Sequence, residues 1–438
     1  MTTSTHLVRT RRFLPLFVTQ LLGAFNDNLF KNAMVLYVVY SVYSSEAEEA
    51  KFSAIASTLF IIPFFVLSAL AGQLADMRDK AKIIRIVKFC EILIMLAGGA
   101  GLLLAWQGFA ISTVAIPLML AALFAMGVHS TFFGPIKYAI LPQHLKPGEV
   151  LAGTGLVEAG TYIAILAGTI LAGWLPVEWS AVLVVVIAAI GYISGRQVPP
   201  APPMTAAEPL DFHFIRSSIA LIRNTMHDRR VYLAIMAISF FWTIGAVLFI
   251  QFPPLAKNVL YASKEVASLF LVIFSVGIAI GSISINALLR GTVSARYAPV
   301  SVIAMGACVA LFFLVCRVWT VDPTDGLLDV GDFVAHPFAL PLLLALLLIA
   351  IFGGMFVVPL YAFLTTFVDK SQTARTIAAN NIVNSGAMVL GSLIAVGLSA
   401  ASVAIIDQLL LVAVMCLGSA WFGYRLYKAE CAAKLVTR

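Results

Sequence analysis

Twelve long apolar stretches, each able to cross a lipid bilayer, dominate the 438-residue chain. About 20 such residues span the hydrocarbon core as a helix. Lipid offers no partner to an open backbone N–H or C=O, so the stretches must cross with their hydrogen bonds closed internally. They fall near 13–40, 53–75, 83–105, 110–134, 149–173, 179–195, 230–251, 265–289, 297–317, 338–360, 374–399 and 404–424. Charged residues make up only 11% of the chain, against about 25% in a soluble domain. Too few charges remain to coat an aqueous core of this size. The expected fold is an all-α integral membrane protein.

Lysine and arginine report the topology. The N-terminus, the even-numbered turns, the central loop and the C-terminus hold 23 of the 28 Lys and Arg residues. The opposite side holds Lys51, Lys257, Lys264 and Arg317, and Lys31 lies within a span. This asymmetry places both termini on the cytoplasmic side of the membrane. The net charge of +7 comes from short runs between spans, which argues against a nucleic-acid surface. Arg9, Arg11 and Arg12 before an apolar stretch imitate a signal peptide, but that stretch contains Asn26, Asp27, Asn28 and Lys31 and reads as a retained first span. The five cysteines show no CxxC spacing, so no disulfide, metal or cofactor site is expected.

The longest break, near residues 196–229, opens with RQVPPAPPMTAAEP, which cannot form a spanning helix. It continues as FHFIRSSIALIRN, the pattern of an amphipathic helix on the membrane surface. The break divides six spans from six, giving expected bundles at 1–196 and 230–438 joined by a linker at 197–229. LVEAG at 156–160 echoes IVNSG at 382–386, and PIKYAIL at 135–141 echoes PLYAFL at 359–364. Parallel halves of this kind belong to the major facilitator architecture. The outer 320–336 loop carries Asp322, Asp325, Asp329 and Asp332, read as a solvated acidic loop rather than an ion site.

Charges inside spans are costly and face a bundle interior or a wet cavity. In TQLLGAFNDNLFKN of span one, Asp27 and Lys31 each fall within about 20° of Gln20 at about 100° per residue, flanked by Asn28 and Asn32. The i, i+4 spacing lets Asp27 pair with Lys31. The set reads as a cavity-lining zwitterionic site or as a structural ion pair, and five polar groups exceed what a stitch between helices needs. Span five carries Glu158 with Tyr162 one turn on, a cavity-facing acid or an inter-helix hydrogen bond. Lys137 closes span four as either a topology determinant or a site residue. Glu91, three residues after Lys88, reads as local pairing near the interface, and His129 as the lone intramembrane histidine. The second half offers uncharged polar residues: Trp242, Gln251, Asn381 and Asn384. A cavity charged on one side and uncharged on the other suits an amphiphile.

The turn GQLADMRDKAK at 72–82 places Gly72, Asp76 and Arg78 between spans two and three. It resembles the Gly-x-x-x-Asp loop of the major facilitator superfamily, with Met77 where a basic residue is usual and Asp79 where glycine is usual. FVTQLLGAFNDNLFKNA, FFGPIKYAIL and GLVEAGTYIAILAG narrow the resemblance to the lysophospholipid transporter family, most of all the transporter half of proteins fused to a phospholipid acyltransferase and an acyl-ACP synthetase. The resemblance implies a twelve-helix major facilitator fold that flips lysophospholipid, notably lysophosphatidylethanolamine, between leaflets for reacylation. It carries the family's functional acids onto Asp27 and Glu158 and its lysine onto Lys137. Phe249 stands where stand-alone relatives have an arginine in span seven. No segment resembles either enzyme domain, so a separate acyltransferase/acyl-ACP synthetase is the implied partner, beside membrane lipid.

The expected activity is lysophospholipid flipping by rocking two bundles about a midplane site, with Gly72, Asp76 and Arg78 gating. The alternative is a proton-coupled exporter using Asp27 and Glu158 as proton carriers. An intramembrane enzyme would need HExxH, GxSxG or a histidine pair, which the spans lack.

Overall fold

The computed structural model describes residues 6–42, 46–206, 209–211, 213–320, 326–401 and 403–436. Twelve long helices follow one another: α1 (Leu14–Ser41), α2 (Glu46–Met77), α3 (Lys80–Trp106), α4 (Ile116–Ala139), α5 (Pro147–Trp174) and α6 (Val177–Arg196), then α7 (Arg229–Asn258), α8 (Lys264–Leu289), α9 (Ala298–Val318), α10 (Ala339–Phe367), α11 (Thr373–Ala400) and α12 (Ile405–Val436). Among the described residues, eleven helices are long and apolar enough to cross a membrane. The 28-residue α1 is the exception, since Gln20, Asn26, Asp27, Asn28, Lys31 and Asn32 dilute its apolar character. The arrangement is that of an all-α, multi-pass membrane protein.

Several helices outrun the apolar stretches. α10 continues to Phe367 through the buried residues 361–365, and α12 to Val436, where Arg425 and Lys428 are exposed and can reach water. A π-helical turn over Ile111–Ala115 leads into α4. Asp79 and Asp228 cap α3 and α7, each accepting from two backbone N–H groups of the first turn.

Contacts divide the chain into two compact units. The first comprises Met1–Gly153, Gly160–Asn224 and Thr365–Ile382, and the second Thr154–Ala159, Thr225–Leu364 and Val383–Arg438. In the first unit α3 packs on α4 and α6, α2 on α4, and α1 on α6. In the second, α12 packs on α7 and α9. The linker forms the helix Phe214–Thr225, as its pattern predicts. Ile215 and Ile219 are 80% and 62% exposed on it, while Ser218 on the other side donates to Phe65 O at 3.5 Å. Of the acidic loop, Asp322 and Asp325 lie outside the described residues. Asp329 caps the short helix Val330–Ala335 by accepting from Asp332 N at 2.9 Å.

Close helix crossings rest on glycine, because lipid supplies no hydrophobic drive between helices and dispersion must come from near approach. Gly277 and Gly281, four apart on α8, meet the α10 backbone: a Cβ at either would collide with Leu347 O or Ile351 O. Gly354 on α10 returns the contact against Ile278 O, at 2.5 Å from its would-be Cβ. Gly281→Leu is therefore expected to force α8 and α10 apart and cost about 1–3 kcal/mol. A thermal unfolding midpoint in detergent equal to that of the unaltered protein would contradict this packing.

Candidate functional site

The polar face of α1 meets three neighbouring helices of the first unit. Gln20 Oε1 accepts from Thr161 Oγ1 of α5 at 2.9 Å. Asp27 Oδ2 accepts from Ser130 Oγ of α4 at 2.7 Å, while its Oδ1 is shielded and takes no hydrogen bond. The Lys31 ammonium lies 5.6 Å from the centroid of the Phe60 ring on α2, a cation–π contact. The spacing predicts an Asp27–Lys31 ion pair; among the described residues none forms. Ser130 takes the carboxylate and the Phe60 ring takes the ammonium, so the two side chains part toward different helices.

Asn28 and Asn32 are half-buried one turn apart. Asn28 donates back to Ala24 O at 2.8 Å, and Asn32 to Asn28 O at 2.8 Å and Thr169 Oγ1 at 3.1 Å. Lys137 stands 3.5 Å from Thr161 Oγ1, with its ammonium 4.9 Å from the Tyr138 ring centroid. It is thus half-buried beside the threonine that holds Gln20, not stranded at the interface. Tyr162 is buried on the same helix. Asn381 Nδ2 lies where a Cβ on Gly134 would come within 3.4 Å, so the glycine of FFGPIKYAIL leaves room for this amide. Glu158 is 1% exposed and belongs to the second unit's stretch of α5.

In the second unit, Trp242 Nε1 donates to Tyr361 Oη at 2.9 Å, and Asn384 Nδ2 reaches the same hydroxyl at 3.4 Å. Ser239 Oγ donates to Asn384 Oδ1 at 2.7 Å. Gln251 stands apart from this group: its amide donates to Gln408 Oε1 and ties α7 to α12. Phe249 packs edge-on against Phe252 and Phe274.

Sequence reasoning passed over a second cluster on the other side of α1. Lys88 and Glu91 form an ion pair with side chains 1% and 0% exposed, far from the interfacial setting expected for Glu91. Glu91 lies near the middle of the 27-residue α3, too deep for snorkelling. Asn26 Nδ2 donates to Glu91 Oε1 and to Val184 O, each at 3.1 Å. His129 Nε2 stands 3.0 Å from Glu91 Oε2. The available signal was the depth of Glu91 within its span, together with a histidine at mid-helix on α4.

At the α2–α3 turn, Asp76 is fully buried and accepts from Ala374 N and Arg375 N, both at 3.0 Å, capping α11. Gly72 permits this approach, since its Cβ would come within 3.0 Å of Arg375 Cα and 3.1 Å of Ala374 O. Arg78 does not join the contact: it is exposed, and the cation at Asp76 is Arg375, with Nε 3.9 Å from Oδ2. The helix leaves α2 at Met77, one residue before Arg78, which turns that side chain outward. Asp79, in the usual glycine position, caps α3 and also accepts from Ala201 N at 3.1 Å.

Ionisable groups gathered among bilayer-crossing helices define a polytopic helical membrane transporter. Residues 16–392 match the Major Facilitator Superfamily, and the chain belongs to that family. It is 25% identical over 391 residues to the lysophospholipid transporter LplT of Cronobacter sakazakii, covering 87% of each chain. Among solved structures, it is similar to a bacterial homologue of the iron transporter ferroportin in its outward-facing state, with TM-score 0.71, 12% identity and coverage of 99% of this chain and 100% of that one. The human organic anion transporter MFSD10 gives TM-score 0.71 at 13% identity, over 94% of this chain and 99% of that one. At such identities the two structures speak for the fold alone.

Asp76→Ala removes both acceptors at the start of α11 and leaves two N–H groups without their partner. The expected loss is about 1–3 kcal/mol, read as a lower unfolding midpoint in detergent. An unchanged midpoint would show that the cap is not stabilising.

Proposed function

We propose that the protein carries lysophospholipid from the outer to the inner leaflet of a bacterial inner membrane by alternating access, with both termini in the cytoplasm. The observation that carries this reading is the division of chemistry: Asp27, Lys31, Lys137 and Gln20 together in the first unit, and the uncharged Trp242–Tyr361–Asn384–Ser239 group in the second. A lysophospholipid presents a matching division of a zwitterionic head and one acyl chain. Lys31 and Lys137 supply cations for the phosphate, and the free Oδ1 of Asp27 accepts from the ammonium of an ethanolamine head. Tyr162, Asn28, Asn32 and Asn381 extend the polar path in the first unit, and Glu158 is a candidate acid of the second. The acyl chain stays against apolar helix faces.

The relatives named lysophospholipid transporters, matched along most of both chains, support the same substrate class. An acyltransferase/acyl-ACP synthetase that restores the second chain is the proposed partner reaction. Gln251 serves as a helix tie, its amide being held by Gln408.

The test is uptake of labelled lysophosphatidylethanolamine into vesicles holding the purified protein, with diacyl lipid and common drug substrates as comparisons. Asp27→Asn is expected to lower uptake more than about tenfold, equivalent to over 1.4 kcal/mol, with the amount of folded protein unchanged. Wild-type uptake in that variant would remove Asp27 from the site. Transport of the drugs but not the lysolipid would favour an exporter.

A further inference from the structure

α3 and α6 lie side by side in the first unit and run in opposite directions. A Cβ at Gly99 would lie 2.8 Å from Ala181 O, and one at Gly195 would lie 3.4 Å from Ile84 Cγ2 and Lys88 Cγ. One at Gly191 would lie 2.9 Å from Lys88 Cε and Nζ, so this glycine opens a slot for the lysine beside Glu91. The start of α3 thus meets the end of α6. The start of α1 joins them, since Ser194 Oγ donates to Pro15 O at 3.0 Å.

Two arginines stand at this end. Arg85 Nη2 donates to Val198 O at 3.3 Å, which holds the half-buried guanidinium, while its Nε is shielded and has no hydrogen bond among the described residues. Arg196 is exposed, with its guanidinium carbon 6.0 Å from the centroid of the Tyr192 ring. Tyr192 in turn meets Phe89, one turn from Arg85, with ring centroids 5.9 Å apart. Further along, the same faces are apolar and exposed: Ile86, Phe89 and Leu93 on α3, and Val186, Ile190 and Ile193 on α6. At about 100° per residue, each falls within about 120° of its helix's arginine. Both helices are long and apolar enough to cross a bilayer. The apolar strip therefore meets lipid tails, and the aromatic rings mark the boundary at which headgroups begin.

No carboxylate answers the two cations. The sequence has no acidic residue before Asp27, none at 80–90 and none at 179–207. The nearest acids are engaged elsewhere. Asp79 accepts from the backbone N–H groups of Ala81, Lys82 and Ala201, Glu91 holds Lys88, and Glu149 holds Arg12. Among the described residues, neither Arg85 nor Arg196 forms an ion pair.

We propose that this end of α3 and α6 binds a membrane phospholipid whose headgroup carries a phosphate and no ammonium. Arg85 and Arg196 take the phosphate oxygens through charge-assisted hydrogen bonds, and an acyl chain lies along the apolar strip. The headgroup follows from the missing acids, because an ammonium would meet two cations and no carboxylate. Basic sites between bilayer-crossing helices hold anionic lipids in this way. The bound lipid braces α3 against α6, and with them the Lys88 slot. The inference stands whether or not the protein moves lysophospholipid.

Native mass spectrometry of the purified protein, titrated with phosphatidylglycerol, reads the first lipid-binding step. Arg85→Gln and Arg196→Gln should each weaken that step about fivefold, and the pair about twentyfold, whereas Arg223→Gln, at an exposed cation of the linker helix, should change it less than about twofold. Equal weakening by Arg223→Gln would reduce the effect to general attraction and overturn the site. Phosphatidylcholine binding as tightly as phosphatidylglycerol would overturn the headgroup. Displacement of the lipid by inorganic phosphate at equal concentration would show a free-anion site instead. If Arg85→Gln does not fold, Arg196→Gln, whose side chain is exposed, decides alone, and unchanged binding in it refutes the proposal.

Discussion

A charged side chain within the bilayer has no water to fall back on, so each must be answered by another group of the protein. The Lys88–Glu91 pair, with side chains 1% and 0% exposed, is such an instance. Removing one partner would leave the other buried and unpaired, a loss of about 3–5 kcal/mol for pairs of this kind. The surrounding arrangement is subordinate to that need. Asn26 takes the second oxygen of Glu91 and holds α6 through Val184 O, glycines on α1 and α6 open the slot for the lysine, and α4 brings His129. Four helices of the first unit are thereby fixed around one neutral pair, and α1 is held with its remaining polar residues turned the other way.

That division of α1 into two polar faces organises the candidate site. Asn26 and Asp27 are neighbours in sequence but project about 100° apart, one toward α3 and α6, the other toward α4. His129 and Ser130 repeat the device on α4, since one contacts Glu91 and the other Asp27. Two adjacent pairs of residues thus connect a buried cluster with a partly accessible one. In the second unit, neutral polar residues of α7, α10 and α11 satisfy one another around Tyr361.

Much of this was legible from sequence. Apolar stretches of bilayer length mark the helices, and their ends moved, as at α10, which runs on through buried residues 361–365, and at α12, which runs on through the exposed Arg425 and Lys428. The amphipathic pattern of the linker became the helix Phe214–Thr225. Helical spacing set Gln20, Asp27 and Lys31 on one face but could not show which neighbour each meets; the Asp27–Lys31 pair failed because Ser130 and Phe60, remote in sequence, compete for its members. Glu91 was misplaced for a related reason. Its i, i−3 lysine explains it locally, whereas its burial depends on α1, α4 and α6 arriving around it. Arg78 fits a motif by position, yet the cation beside Asp76 comes from Arg375, about three hundred residues later.

The void beside Gly191 has an evolutionary consequence. With Lys88 Cε and Nζ only 2.9 Å from a would-be methyl group, alanine at position 191 would require the end of the lysine to shift from its place beside Glu91. Shortening it first strands Glu91 without its counter-ion. Each substitution alone disturbs the Lys88–Glu91 pair, so positions 88, 91 and 191 are coupled. A lineage that loses the acid is freed to fill the void, and the size of its residue at 191 then records whether the charge was ever kept.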